Sequence, residues 1–429
     1  MIRRLLFKSQ YRFNSGLSAG RSSGSTSRAF QGFGSFDYEG LNKKNNSSTT
    51  PYSDKYYQPI ISEGFLGFDK LIIPKDFRAS NQEVDIIDEE GHRQQHELTE
   101  VVNSFKAPIK VAIGYGSGVF PQDGYEDPKK DGKRSDERQI DFINIVEDND
   151  SFHRINLQQH TDHYSVKSPY LIKLIQGSTG IYFNPFVRMR QQLIKYGIIS
   201  TNASLLDLSE WSSLYFAGRL HKPVNFVKDE EPMVKFLNQY NLKNAVTLSI
   251  LLIESPQFTE RQLYEQITKI SYLGDFRMYI GGENPNKVRN IVNKQFLQFM
   301  RLYEPILQYF IHKNCLIIVD SDEMNNNMKT FRKNLTINNK IKLISTLPLQ
   351  FRSKLYQMYH EKSIKEIVKD KNLSKNLMKI VSRTIQISSV KQTIRGIFSS
   401  GIIKSIKYAF AKQVKFWRGK MLEKKSHTL

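Results

Sequence analysis

Apolar positions in this chain fall into two kinds of period, and the change from one to the other marks out its elements. Residues 110–115 (KVAIGY) form a short, nearly unbroken apolar run that ends on glycine, the pattern of a buried strand, and 139–146 (QIDFINIV) form a second. Between them, 121–138 are rich in Pro, Gly and charge and read as a loop. Residues 170–217 read as mainly helical, with Trp211, Leu214, Tyr215 and Phe216 as core aromatics, and 218–224 lead into a further strand. Helical spacing returns at about 230–255, 259–270 and 286–310, whereas 271–278 (SYLGDFRM) read as a turn into a strand. The Asn- and Lys-rich stretch 322–340 reads as loop.

The C-terminus carries a different pattern. Ile403, Ile406, Phe410, Val414, Trp417 and Met421 recur every three or four residues, so they draw one stripe along a helix. Lys404, Lys407, Lys412, Lys415, Arg418 and Lys420 fill much of the rest. Such a helix either lies in an anionic lipid headgroup layer or docks on its own domain; its almost wholly cationic polar face favours the lipid. No stretch approaches the roughly 18 apolar residues of a membrane span. At the other end, 1–36 are rich in Arg, Ser and Gly, and the opening MIRRLLFK can form a basic amphipathic helix. These are marks of a mitochondrial presequence, with 37–60 as a linker.

Charge changes the picture through its placement. Of the net +21, residues 1–36 supply six basic residues and no acid, and 385–429 supply ten basic residues and one acid. The chain between them therefore carries only +6, too little for a fold that coats nucleic acid. The single cysteine, Cys315, excludes an intrachain disulfide framework and a cysteine zinc cluster.

The candidate chemistry sits on the first two strands. Gly116, Ser117 and Gly118 follow the first strand directly; glycines let backbone amides approach phosphate oxygens, and Ser117 adds a hydroxyl. Alone, this is equally a tight turn. Asp141, between apolar neighbours on the second strand, is either a ligand for Mg2+ bridging a triphosphate or a structural carboxylate. Glu147 and Asp148 end that strand. His153, His160 and His163 suggest hydrogen bonding or substrate positioning more than zinc. Arg219 and Lys222 are candidate phosphate ligands, and Asp275, flanked by Gly274 and Phe276, is a further carboxylate.

Several of these blocks together carry a resemblance: Tyr115 through Phe120, Asp141-Phe142, His163-Tyr164-Ser165, Leu193 through Asn202, Tyr215 through Val224, Ser271 through Met278, and the 389–401 segment with Lys391, Arg395, Gly396 and Phe398. In that order they resemble the mitochondrial phosphatidate cytidylyltransferase family, peripheral CDP-diacylglycerol synthases of the translocator-maintenance type. The resemblance implies an enzyme that makes CDP-diacylglycerol and pyrophosphate from CTP and phosphatidic acid. It implies Mg2+, the matrix face of the inner membrane, and a product feeding phosphatidylglycerol and cardiolipin synthesis. Carried onto this chain, it gives Gly116, Ser117, Gly118, Arg219 and His163 to the nucleotide. Asp141, Asp275 and Lys222 go to catalysis, and Asp141, Asp275 and Asp148 to the metal. The second strand departs from the wider superfamily, with Ile143 where a second Asp is usual.

The expected fold is α+β. A nucleotidyltransferase-type mixed sheet domain spans 61–185 and 218–285, and a helical, winged-helix-like region spans 186–217 and 286–384. A basic membrane-associating tail occupies 385–429. The partners expected are CTP, phosphatidic acid and an anionic membrane surface, with no nucleic acid. An RNA nucleotidyltransferase would need more basicity in 61–310; a non-catalytic, membrane-bound assembly factor would not need Asp141, Lys222 and Asp275.

Overall fold

The computed structural model describes residues 77, 79–86, 88–120, 139–177, 180–275, 286–322, 328–360 and 362–400. The presequence, the linker, the 121–138 loop, the strand after Asp275 and the 403–421 apolar stripe lie outside the described residues.

A five-stranded mixed sheet forms the centre, in the order β3-β4-β2-β1-β5. β1 (Val111–Tyr115) and β2 (Ile140–Val146) are the two strands legible as apolar runs, and they pair antiparallel. β3 (Tyr182–Met189) and β4 (Gln192–Ser200) form an antiparallel hairpin, and β4 lies parallel to β2. β5 (Asn225–Asp229) closes the other edge against β1. Because side chains alternate, the sheet buries two different faces. Ala112, Phe142, Tyr196 and Ile198 pack under α1 (Glu89–Asn103) and α2 (Asn149–Gln159). Val111, Ile113, Ile143, Ile145 and Ile199 pack on the opposite face with residues of α4 (Thr201–Glu210) and α5 (Pro232–Leu252); α3 (Pro169–Gln176) precedes β3.

That second core continues without a break into a three-stranded antiparallel sheet, β6-β8-β7 (Gln257–Thr259, Met328–Lys333, Leu316–Asp322), through Phe258, Leu316 and Phe331. It also takes in α6 (Glu260–Ile270), α7 (Lys287–Lys294), α8 (Phe296–His312), α9 (Ile337–Thr346), α10 (Leu349–Met358), α11 (Ile364–Ile367) and α12 (Leu373–Ser400). Among the described residues, no helix is long and apolar enough to cross a membrane.

The structure corrects four sequence expectations. Residues 170–217 are not mainly helical: β3 and β4 occupy their middle, and 186–200, assigned to the helical region, belong to the central sheet. β4 is buried on both faces for much of its length, so its apolar run has no strand-like alternation to separate it from a helix. The strand expected at 218–224 begins only at Asn225, because 212–222 are turns. The polar stretch 322–340 is not loop throughout. It holds β8, and α9 is started by Thr336, whose side chain accepts from Asn339 N. Finally, 385–400 are part of the folded body: α12 packs on β3 and α3, with Ile385 buried and Gln392 Nε2 donating to Ile181 O at 2.6 Å.

Candidate active site

β1 runs straight into the 116–120 turn, where Gly116 O accepts from Val119 N (3.2 Å) and Phe120 N (2.9 Å). Gly116 has φ +79°, a conformation other residues adopt only at a cost. A Cβ on it would stand 3.4 Å from Asp141 Oδ2, so the turn's bare edge faces that carboxylate. Gly118 is required by contact: its Cβ would come 2.8 Å from Ile140 Cα and closer still to Gln139 O. Half-buried Ser117 lies between the two.

Strand register then sets a row of three side chains across the sheet. Tyr115 pairs with Asp141 across the antiparallel β1–β2 ladder, and Asp141 pairs with Lys195 across the parallel β2–β4 ladder. All three therefore project from one face. Lys195 Nζ lies 3.7 Å from Asp141 Oδ1 and 4.7 Å from the Phe183 ring centroid. Arg219 completes the group. Its guanidinium sits 3.9 Å above the Tyr215 ring and 5.7 Å from that of Tyr115, and it donates to Tyr215 O. Burial pushes the Tyr115 phenol up; Asp141 adds to the rise, while Lys195 and Arg219 oppose it.

Lys222 sits three residues after Arg219, and its Nζ donates to Gly218 O (2.7 Å) and Ser271 Oγ (2.9 Å). Burial, then the charges of Arg219 and Lys287, lower its pKa to about 7. The 271–275 turn packs beside it, with Tyr272 under both Lys222 (5.5 Å) and Lys287 (5.6 Å). Gly274, at φ +77°, lets this turn press on α12, where a Cβ would come 2.8 Å from Ser382 Cα. Buried Asp275 follows directly, its N–H donating to Tyr272 O at 3.2 Å.

Two buried side chains hold the loop that carries Tyr215 and Arg219. Asp207, at the end of α4, accepts from the amides of Ser213, Leu214, Phe216 and Ala217 and from the hydroxyls of Ser212 and Ser213, all at 2.7–3.1 Å. Asn241 on α5 accepts from Trp211 Nε1 and His221 Nε2, both at 2.8 Å, and donates to Ala217 O. The sequence reading missed Asp207, and it missed Lys195 because that lysine is embedded between Ile194 and Tyr196. A lone lysine inside a strand-like apolar run was the available signal.

The structure thus brings together Gly116, Ser117, Gly118, Asp141 and Arg219, with Lys222 and the Asp275 turn joined to them through the same loop. It does not bring Asp148 or His163 to the group. Asp148 accepts from Ser151 N at 2.7 Å as the N-cap of α2. It stands seven residues along from Asp141, about 20 Å at strand rise, so one ion cannot bridge both. Glu147 pairs with Lys110. His163 Nδ1 lies 2.9 Å from Tyr196 Oη, on the face opposite Asp141. There His153 bonds Tyr164 and Gln176, and Asn156 donates to both Tyr164 and Tyr196. Burial lowers His153 and His163 to about 4. His160 and His163 stack with rings 4.3 Å apart and 6° from parallel. The ligand atoms of His160, Asp162 and His163 lie within 4.8 Å of one another, and the parallel rings keep the two histidines' lone pairs in separate planes.

Asp141 offers oxygen, the donor Mg2+ requires, beside the bare edge of the Gly116 turn. That ion commonly takes only one or two protein carboxylates and fills its remaining positions with phosphate and water, so the residues fit it.

Comparison with known proteins gives the chain a family. The family described as "Phosphatidate cytidylyltransferase, mitochondrial" matches residues 98–415. A protein of that name from Schizosaccharomyces pombe is 38% identical over 335 residues, covering 73% of this chain and 82% of its own. The Saccharomyces cerevisiae protein of the same name is 37% identical, over 76% of this chain and 71% of its own, and that of Mus musculus is 33% identical, over 76% and 95%.

Proposed function

The chain belongs to the mitochondrial phosphatidate cytidylyltransferase family, and from that premise we propose that it joins CTP to phosphatidic acid at the Gly116–Arg219 site, giving CDP-diacylglycerol and pyrophosphate. The observation that carries the reading is the convergence of the Gly116 turn, the Asp141 carboxylate beside it and the Arg219 guanidinium over Tyr115 on one end of the sheet.

In this reading the triphosphate lies along the Gly116-Ser117-Gly118 turn, taking hydrogen bonds from its amides and from the Ser117 hydroxyl. Arg219 and Lys222 neutralise phosphate charge from the loop side, Arg219 being aimed by Tyr215 and Tyr115. Asp141 and Asp275 would hold Mg2+, and Asp148 is left to its cap. When bound, Mg2+ supplies charge neutralisation on the triphosphate. Phosphatidate brings its own anionic nucleophile, so no general base is needed. One of its phosphate oxygens attacks the α-phosphorus, the bond to the bridging oxygen breaks, and pyrophosphate leaves with that electron pair. Catalysis is then alignment and charge compensation by fixed groups. His163 acts at a distance, holding Tyr196 in the strand that presents Lys195.

The β6-β8-β7 sheet with its helices corresponds to the winged-helix-like region. The basic 401–429 segment holds the enzyme on an anionic bilayer, at the matrix face of the inner membrane, where the product enters phosphatidylglycerol and cardiolipin synthesis.

The test is incubation of the purified protein with labelled CTP, Mg2+ and phosphatidate-containing liposomes, beside the Asp141→Asn variant. Wild type is expected to form a CDP-lipid and the variant to lose it. No lipid product, or full activity in the variant, overturns the reading; label transferred to RNA instead would favour the RNA nucleotidyltransferase.

A further inference from the structure

Tyr215 belongs to two surroundings. One side of the story is Arg219 and the Asp141 row; the other is a cavity of about 150 Å³ between the 212–216 loop, the sheet and α12. That volume is far below the roughly 300 Å³ of a small-ligand pocket, and suits a headgroup, not a nucleotide. Ser212, Ser213, Tyr215, Ser388, Lys391 and Arg395 line it. Ser388, Lys391 and Arg395 are spaced by three and four residues, so they share one face of α12.

Arg395 is placed, not merely nearby. The Arg395 guanidinium lies over Gly177 and Gly180, where a Cβ would come 3.0 Å from Nη2 and 2.7 Å from Cζ respectively. Gln392, between the two cations, pins the helix to Ile181 O. Among the described residues, neither Lys391 nor Arg395 pairs with a carboxylate. The acid that reaches the cavity, Asp207, has both oxygens committed to the six donors of its own loop.

Around this cationic cavity the surface is apolar. α12 exposes Ile394, Ile397 and Phe398, and α3, which packs against it, exposes Tyr170, Leu171 and Leu174. An anion seat with an apolar collar matches a phosphate that carries hydrocarbon chains.

We propose that this cavity seats the headgroup of the lipid substrate. Lys391 and Arg395 hold its phosphate monoester, while the hydroxyls of Ser212 and Ser213 stay on Asp207 and that of Ser388 on Ile385 O. Tyr215 borders both the cavity and the Arg219 side of the site, and the acyl chains leave over α12 and α3. The inference rests on the cytidylyltransferase reading and assigns its acceptor side.

Short-chain phosphatidic acid (dihexanoyl, below its micellar concentration) separates headgroup binding from membrane recruitment. With this substrate, Lys391→Gln/Arg395→Gln is expected to raise KM for phosphatidate at least about tenfold while leaving KM for CTP unchanged. Direct titration of the protein with the short-chain lipid should show the same loss, and inorganic phosphate should compete only weakly. A raised KM for CTP would give the cavity to the nucleotide; equal competition by inorganic phosphate would make it a free-anion site. Unchanged short-chain KM, with or without weaker liposome binding, would return the cations to the membrane surface or to packing; each of these outcomes overturns the assignment. If the double variant does not fold, Lys391→Gln alone decides, since that side chain is exposed. A wild-type protein that makes no CDP-lipid at all fails the parent reading instead.

Discussion

Lys222 Nζ donates to Ser271 Oγ at 2.9 Å, tying the loop before β5 to the turn that ends in Asp275. Burial and the nearby charges of Arg219 and Lys287 bring this amine to about 7, so near neutrality part of the protein holds it uncharged. A bound triphosphate restores the charge and raises the pKa, so CTP binding takes up a proton. Affinity for CTP is therefore expected to fall as pH rises above about 7, by up to about tenfold per pH unit. Calorimetry at about pH 7.5 to 9 in two buffers of different ionisation enthalpy measures the proton uptake directly. Lys222→Met should bind more weakly and lose that uptake; an unchanged uptake in Lys222→Met would show that another group titrates.

Gly118→Ala tests the turn. The added Cβ meets the backbone of Gln139 and Ile140, which cannot swing aside as a side-chain tip can. The turn must lift from β2 and move relative to Asp141. A displacement of about 1 Å at a reacting centre costs on the order of 100-fold in rate, so kcat/KM for CTP should fall by about that factor. Circular dichroism should still show a folded protein. Activity within a few-fold of wild type would mean that this turn does not set the phosphate position.

The parts of this site that were legible in the sequence are those written in local pattern. Tyr115 to Gly118 and Asp141 could be found because a strand followed by glycines, and an acid inside an apolar run, are contiguous signals. What brings Tyr115, Asp141 and Lys195 into one row is the pairing of β2 with both β1 and β4, and the parallel partner lies more than fifty residues away in sequence. Lys195 was consequently read as part of a helix. Arg219 and Lys222 were recognised as cations but not as neighbours of Tyr115 and Ser271, since that depends on how Asp207 and Asn241 fold the intervening loop. Asp148 and His163 show the converse: Asp148 follows close after Asp141 in sequence and His163 was assigned on the resemblance, yet one faces a helix end and the other lies behind the sheet.

Asp207→Asn should damage the site without touching it. An amide supplies one oxygen where the carboxylate supplies two, and its NH2 would confront amide N–H groups that can only donate. Leaving such buried donors unsatisfied costs about 2–4 kcal/mol. The loop bearing Tyr215 and Arg219 should loosen, with a lower melting temperature and a loss of activity larger than the loss of folded protein. Hydrogen exchange should rise at Ser213 through Ala217. Protection unchanged there would refute the scaffold role.

Part of the pH dependence of stability should have its origin on the other face of the sheet. His153 and His163 are held at about 4 by burial among Tyr164, Gln176 and Tyr196, below the ordinary value of 6.5. A depressed histidine pKa means that the folded state resists protonation while the unfolded chain accepts it. Stability is then complete above about pH 6.5 and falls as the pH drops toward about 4, where the folded protein begins to take up the protons itself. Each ring contributes up to about 1.4 kcal/mol per pH unit inside that window. Thermal melts between about pH 7.5 and about 4.5 should therefore show a falling transition temperature. Buried His221, lowered by burial to about 3, adds to the same window from the other side of the sheet. His163→Gln removes one of these titrations while keeping a polar group against Tyr196, and should reduce the slope in that window. The same slope in His163→Gln as in wild type would place the acid sensitivity in other groups and not in the ring behind Tyr196.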